Sequence, residues 1–517
     1  MLATKIFRWR HCVYAVMLQS PVGLCPRSPN LSNFFPTMSD QVRQLEPSAP
    51  WNFFADLNAI PRASKKEQRV AQWVRDFGQR HGLEVLTDDF GNVIIKKPAS
   101  AGREKSPVTI LQGHLDMVHS KNADVEFDFD RQGIDMYVDG DWVRARGTTL
   151  GADNGLGVAA ILAVLASKDS VHPPLEALFT LDEEQGLGGA KHLGRGLLEG
   201  KLLLNLDTEE DHVLTIGCAG GIDTLVDWHY QQEPVPQGLS AFLVKVSGLT
   251  GGHSGMDIHL GRANANKVLA RVLMACSDAG LRLAEFDGGN LRNEIAREAK
   301  AVVAVENKAR FLERLQAARE AVNTEFKTVE PNLKITATEA PSPASVMHQS
   351  EQIKFLNAIR AVQNGVFRMS PDIPGLVEAS TNLAKITLGN GQLKIGSLQR
   401  SSVESTKADV AAAFRAPFDL LGADVQTDNE YPGWKPDPGS DLVKKMAGIY
   451  QELFGQGPTI EACHAGLECG IIGQAYPGLD MASFGPLIQG AHSPDERASI
   501  SSFRKFWKFY LEVLAAI

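Results

Sequence analysis

From Trp51 onward the chain alternates amphipathic helix-like segments with short β-rich runs, and the residues able to do chemistry fall just past the ends of those runs. Glu67 to Gly82 reads as a helix, with Val70, Trp73, Val74 and Phe77 on one face at three- and four-residue spacing. Asn92 to Lys96 and Val108 to Gln112 are β-rich; beyond Gly155 the run VAAILAVLA reads as a buried helix, and LEALFT and LLLNL read as strands. This order predicts an α/β fold with a mainly parallel sheet flanked by helices. In open sheets of that kind the ligand site lies beyond the carboxyl ends of the strands. His114 and Asp116 follow VTILQG, Glu183 and Glu184 follow LEALFT, Asp207 ends LLLNL, and His492 follows MASFGP by a short loop. Four separate segments are thus expected to deliver His, Asp and Glu to one rim.

Asp153 lies in GTTLGADNG, a glycine-rich loop entering the helix near Gly157. Glycines on both sides permit unusual backbone angles and let a carboxylate reach into a site. His114, Asp153, Glu184, Asp207 and His492 offer nitrogen and oxygen without thiolate, a set suited to zinc, with manganese or cobalt as substitutes. Five protein groups, with Asp153 bridging, suit two metal ions about 3.5–4 Å apart. Side chains diverge at a strand end, so beside Glu184 as ligand Glu183 is free to act as general base. Asp116, two residues past His114, is placed to accept the ring N–H of that ligand. Taken singly, an EE pair is a solvated surface feature, HxD a loop end and GADNG a turn; their joint placement at strand ends makes the site. His119, His172, His192 and His212 lack such a setting and read as surface or packing residues.

A chain of 517 residues exceeds one ordinary core, so two sizeable domains are expected. The texture turns rich in Pro, Gln and Gly around 234–238, and YPGWKPDPG marks a second change near Tyr431. The simplest account is an inserted α+β lid domain, residues 222–431, in a catalytic domain made of 39–221 and 432–517. Within the insert, Ala241 to Val246 reads as a strand and Lys308 to Thr324 as a charged helix. GLTGGHSGMDIH presents His253, LRNEIARE presents Asn293 and GSLQRSSVES presents Arg400: an imidazole, an amide and a guanidinium suited to an oxyanion and a peptide carboxylate.

The formal charge of -9 argues against nucleic acid as a partner, and no run of about 18 apolar residues is present to span a membrane. Six scattered cysteines without a C-x-x-C pair fit a reducing, cytoplasmic setting. Residues 1–38 contain no acid and carry Lys5, Arg8, Arg10 and Arg27. Their apolar run is short for a targeting peptide, and a start at Met38 is the preferred reading.

Together LQGHLDMV, RARGTTLGADNG, TLDEEQG, NLDTEE, GCAGGID, GGHSG, NANK, LRNEIARE, YPGW, HAGLECG and HSPDE resemble the M20 family of metallopeptidases, most closely its aminoacyl-histidine dipeptidase branch. The resemblance runs from about Trp51 to the C-terminus. It implies two zinc ions held by His114, Asp153, Glu184, Asp207 and His492, a cis peptide between Asp153 and Asn154, Glu183 as base and Asp116 as orienting acid. It also implies His253, Asn293 and Arg400 as substrate contacts, dipeptides including Xaa-His as substrates, and a homodimer through the lid. Ala296 stands where relatives have proline, and the surroundings of Arg400 in SLQRSS depart from the usual pattern. An N-acyl amino acid deacylase, or a non-catalytic binding relative, would be the alternatives.

Overall fold

The computed structural model describes residues 39–517; the reading of residues 1–38 lies outside the described residues. Two large sheets organise the chain. The first has eight strands in the spatial order Glu84–Thr87, Val93–Lys97, Leu175–Thr180, Thr109–His114, Leu202–Asn205, Asp480–Ser483, Val213–Cys218 and Thr459–Cys463. Its central neighbours, from Leu175–Thr180 to Asp480–Ser483, pair in parallel. Antiparallel pairing enters at Glu84–Thr87 and Val93–Lys97 and where Val213–Cys218 meets Ser483. The strands 109–114 and 175–180 are buried at every position, as continuous apolar runs between helical layers should be.

The helices pack on that sheet because each turns an apolar stripe to it. Ala152–Ala166, apolar from Gly155 onward, runs through the core with Leu156, Ile161 and Val164 fully buried. Its approach to the sheet is close: a Cβ on Gly157 would stand 2.3 Å from the Leu206 carbonyl oxygen, so only glycine lets helix and strand meet there. Ser48–Asn58 and Ile500–Ala516 join the same core, with the rings of Trp51 and Phe503 4.8 Å apart.

The second large sheet is antiparallel between neighbouring strands and is built from Gly220–His229, Ser240–Ser247, Arg282–Gly288, Ala299–Val305, Lys334–Glu339, Val377–Gly389, Gln392–Ser401 and Asp424–Tyr431, with Gly365–Met369 added beside Val377–Gly389. Helices Ala265–Ala275, Lys308–Phe326, Gln349–Ala361 and Glu404–Leu421 contribute to its separate core. The chain passes from the first sheet to the second at Gly220, and its last strand there ends at Tyr431. The Pro-, Gln- and Gly-rich stretch 234–238 therefore joins two strands inside the second segment, and the change of sheet falls earlier. Where the chain crosses, the backbones of Cys218 and Trp434 exchange two 2.9 Å hydrogen bonds.

A small four-stranded sheet carries the hairpin whose arms are Ile488–Gln489 and Arg497–Ser499, leaving His492 and Glu496 in its loop. Among the described residues no helix is long and apolar enough to cross a membrane.

Candidate metal centre

The strand ends meet at one rim. His114 closes its strand fully buried, and its Nε2 faces Asp153 Oδ1 at 3.0 Å and Asp207 Oδ1 at 3.3 Å. His492, half exposed and with left-handed backbone at φ 64°, turns its Nε2 to Asp153 Oδ2 at 3.2 Å and Glu184 Oε2 at 3.0 Å. Asp153 thus gives one oxygen to each of two imidazoles, and each imidazole has a further carboxylate of its own. Nitrogen and oxygen ligand atoms of His114, Asp153 and Glu184 lie within 4.8 Å of one another.

These groups fit divalent cations. Three carboxylates crowd together, and Glu184 Oε1 is buried without a hydrogen-bond partner, which is costly unless a cation faces it. Hydrogen bonds donated to Asp153 and then to Glu184 push the His492 imidazole up to about 11. Burial works to raise Asp153, but hydrogen bonds to His114 and His492 outweigh it and hold its carboxyl below the ordinary range. Burial raises Glu184 and Asp207.

The backbone carrying Asp153 is held from outside. Gly151 sits at φ 69°, a region glycine enters freely, and the Asp153–Asn154 peptide is cis. Glu496 Oε2 accepts from the N–H groups of Leu150 (2.7 Å) and Gly151 (3.0 Å), and its Oε1 accepts from Ala152 (2.7 Å) and Asp153 (3.4 Å). Arg62, fully buried, donates to the carbonyls of Leu115, Asp116 and Gly151 and to Asn58 Oδ1. Burial lowers its guanidinium to about 10, against the nearby acids led by Glu496.

Asp116 performs two positioning tasks. Its Oδ1 lies 3.4 Å from His114 Nδ1, and its carboxylate accepts the backbone N–H groups of Glu183 (3.1 Å) and Glu184 (3.2 Å) and the Ser64 hydroxyl (2.8 Å). A further acidic group, Glu67, Asp116 and Asp182, shares this anchoring: Glu67 accepts the N–H groups of Lys65 (2.7 Å) and Asp182 (3.0 Å). Beneath the rim Glu468 accepts from Gln112 Nε2 (2.6 Å) and Thr180 Oγ1 (2.7 Å), while Gln112 Oε1 takes Asn205 Nδ2. One carboxylate thereby ties the strands ahead of His114, Glu183 and Asp207, and burial raises it to about 7.

Glu183 stands beside this centre. Its carboxyl is raised well above the ordinary range, first by burial; His114 opposes this, while Asp207, Glu468 and Glu184 add to it.

The second set gathers on the antiparallel sheet. His253 Nδ1 accepts the backbone N–H groups of Gly255 (3.2 Å) and Met256 (3.0 Å). Burial, and then Arg400, depress this imidazole to about 4. A neutral ring whose Nδ1 is an acceptor carries its proton on Nε2, where it can be donated. The Asn293 carbonyl takes the Ser254 N–H (2.8 Å). Arg400 is 5% exposed, donates from Nη1 to the Tyr431 hydroxyl (2.9 Å), and its Nε has no partner. His464 joins this set, its Nε2 2.7 Å from the Ser380 hydroxyl. The four histidines read from sequence as surface or packing residues have such partners: His119 stacks on Phe129, His192 on Phe90, His172 Nδ1 meets the Pro173 carbonyl, and His212 lies by Glu210.

Sequence reading passed over Arg62, Glu468 and Glu496. For Glu496 a signal existed in HSPDE, four residues past His492; HAGLE contains both His464 and Glu468. Arg62 in IPRAS has no local signature.

Residues 110–516 match the sequence profile of Peptidase family M20/M25/M40. The cytosol non-specific dipeptidase of Escherichia coli (strain K12) is 41% identical over 480 residues, which cover 92% of this chain and 99% of that protein. The aminoacylhistidine dipeptidase of Vibrio alginolyticus, a solved structure, superposes with a TM-score of 0.86 at 41% identity over 92% of this chain and 98% of that one. The aminopeptidase PepT of Bacillus cereus, at 15% identity, shares the fold with a TM-score of 0.53, covering 91% of this chain and 98% of its own.

Proposed function

Because the chain belongs to peptidase family M20/M25/M40, we propose that it is a dipeptidase acting with two divalent ions, zinc first and manganese or cobalt as substitutes, on dipeptides that include those ending in histidine. The observation that carries this reading is Asp153, with one oxygen toward His114 and the other toward His492. The likeness to the Escherichia coli and Vibrio alginolyticus dipeptidases over nearly their whole lengths supports the substrate class.

His114, Asp153 and Asp207 would hold one ion, and His492, Asp153 and Glu184 the other. When bound, such ions supply Lewis acidity for polarising the scissile carbonyl and acidifying water. Glu183 takes the proton of the attacking water and returns it to the leaving amine, so the amide is cleaved with one water consumed. Asp116 fixes the ring of His114 and the backbone of Glu183 and Glu184. His253 donates its Nε2–H to the oxyanion that forms. Asn293 and Arg400 bind the rest of the peptide, with Arg400 suited to the terminal carboxylate by its fork of donors.

In the same reading residues 39–221 and 432–517 form the catalytic domain and 222–431 the lid. Strand Asp424–Tyr431, at the outer edge of the second sheet, offers a surface for a homodimer through the lid. A cytoplasmic location agrees with the cytosolic Escherichia coli relative.

The test is a panel of dipeptides, including Xaa-His, run against N-acetyl amino acids with zinc, manganese and cobalt in turn. The dipeptides are expected to be cleaved; turnover of the acetylated compounds alone would make the protein a deacylase. The support from Glu496 gives a second expected result. Glu496→Gln keeps the shape and removes the charge facing four N–H groups. It should weaken metal binding by about 10–100-fold, the usual cost of losing an outer partner, as read by titration against a chelator of known affinity. Unchanged affinity would mean the Asp153 loop holds itself.

A further inference from the structure

A cavity of about 630 Å³ opens beside Glu184, with Lys191 on the catalytic side and Arg292, Asn293, Asn429 and Tyr431 on the side of the second sheet. Its lining carries two acids, Glu184 and Asp223, and two bases, Lys191 and Arg292. Arg292 is ion-paired with Asp223, and Asn429 Nδ2 donates to the same carboxylate at 2.8 Å. Lys191 is exposed, its ammonium 5.8 Å from the centre of the Tyr431 ring, and among the described residues no carboxylate forms an ion pair with it. Asp182 feels its charge from farther off. The same tyrosine takes the hydrogen bond of Arg400, a buried guanidinium that also has no acidic partner among the described residues and whose Nε is unsatisfied. Two cations converge on one tyrosine, and neither is neutralised there.

A buried guanidinium without a counter-ion calls for an anion from outside the chain. A dipeptide brings one, its terminal carboxylate, and the dipeptidase reading gives this to Arg400. Lys191, exposed over the other side of the same tyrosine and in no ion pair among the described residues, is then the cation left to meet a second carboxylate of the substrate. We propose that Lys191 is a specificity-determining residue that reads an acidic side chain, Asp or Glu, on the C-terminal residue of the dipeptide. The proposal rests on the dipeptidase reading and on Arg400 holding the terminal carboxylate. An ammonium is a point charge on a flexible stem, steadied here by an aromatic face, so it can follow either acid length.

The experiment compares kcat/KM for Ala-Glu and its neutral isostere Ala-Gln in the wild-type holoenzyme, in K191M and in K191R, at low and high salt. An exposed pair of this kind contributes up to about fivefold. The Ala-Glu to Ala-Gln ratio should therefore fall by about that factor in K191M, through KM rather than kcat, and stay near wild type in K191R. High salt should narrow the wild-type ratio in the same direction. A ratio that K191M leaves unmoved, whether or not both substrates slow together, overturns the proposal. Wild-type turnover of Ala-Gln reports separately on the dipeptidase reading.

Discussion

Glu183→Gln is expected to lower kcat by about 10²–10⁴-fold, the usual contribution of a positioned general base, while the protein keeps its divalent ions. Glutamine has the size of glutamate and cannot accept the proton of water. In the wild type, burial together with Asp207, Glu468 and Glu184 raises the carboxyl well above the ordinary range, with His114 pulling the other way. A carboxylate raised in this manner holds a proton better between taking it and returning it. Because Asp116 grips the backbone N–H groups of Glu183 and Glu184, the exchange at one side chain should leave Glu184 in place. Steady-state kinetics and elemental analysis on the same preparation decide the matter. Near-wild-type kcat removes Glu183 from the proton transfer; low kcat with lost metal makes it a ligand.

The second large effect concerns the shared carboxylate. Asp153→Asn should empty both sites, whereas Asp207→Asn should empty one. An amide has a single acceptor oxygen and a donor NH₂, so it cannot serve two sides as a carboxylate does. Asp207 faces His114 alone, and its loss should leave the His492, Asp153 and Glu184 group intact. Elemental analysis after dialysis is expected to fall from about two ions per chain toward none for Asp153→Asn and toward one for Asp207→Asn. Activity of Asp153→Asn should match that of chelated wild type. Equal metal loss in the two variants would show that Asp153 is not shared.

Much of the centre could be read from sequence because its strands are buried on both faces and so appear as unbroken apolar runs with chemistry at their ends. Thr109–His114 and Leu175–Thr180 are of this kind, and their parallel pairing puts His114 level with Thr180. The antiparallel margin was harder: Glu84–Thr87 and Val93–Lys97 are short, and nothing local in them states direction. Turn-forming residues at 234–238 resemble a domain boundary, yet the backbone needs the same residues for any tight connection. Among candidate groups, those marked by their own neighbours in sequence, such as Glu183 and Glu184, stand out without a structure. Arg62 and Glu496 do not, because their partners are backbone groups supplied by distant loops. Arg400 shows a further limit: a guanidinium can be placed on a strand from sequence, but the tyrosine covering it comes from another strand.

The hydrogen bond from Leu150 to Glu496 joins residues 346 apart. On a ribosome, the loop that bears Asp153 therefore emerges long before the hairpin that steadies it and supplies His492. Closing so long a stretch of chain is entropically slow. Four of the candidate ligands wait while the whole second sheet is made, and hydrolytic competence arrives only once that hairpin has emerged. A refolding enzyme should recover its peptide cleavage in step with the docking of that hairpin and after most of its helix signal has returned.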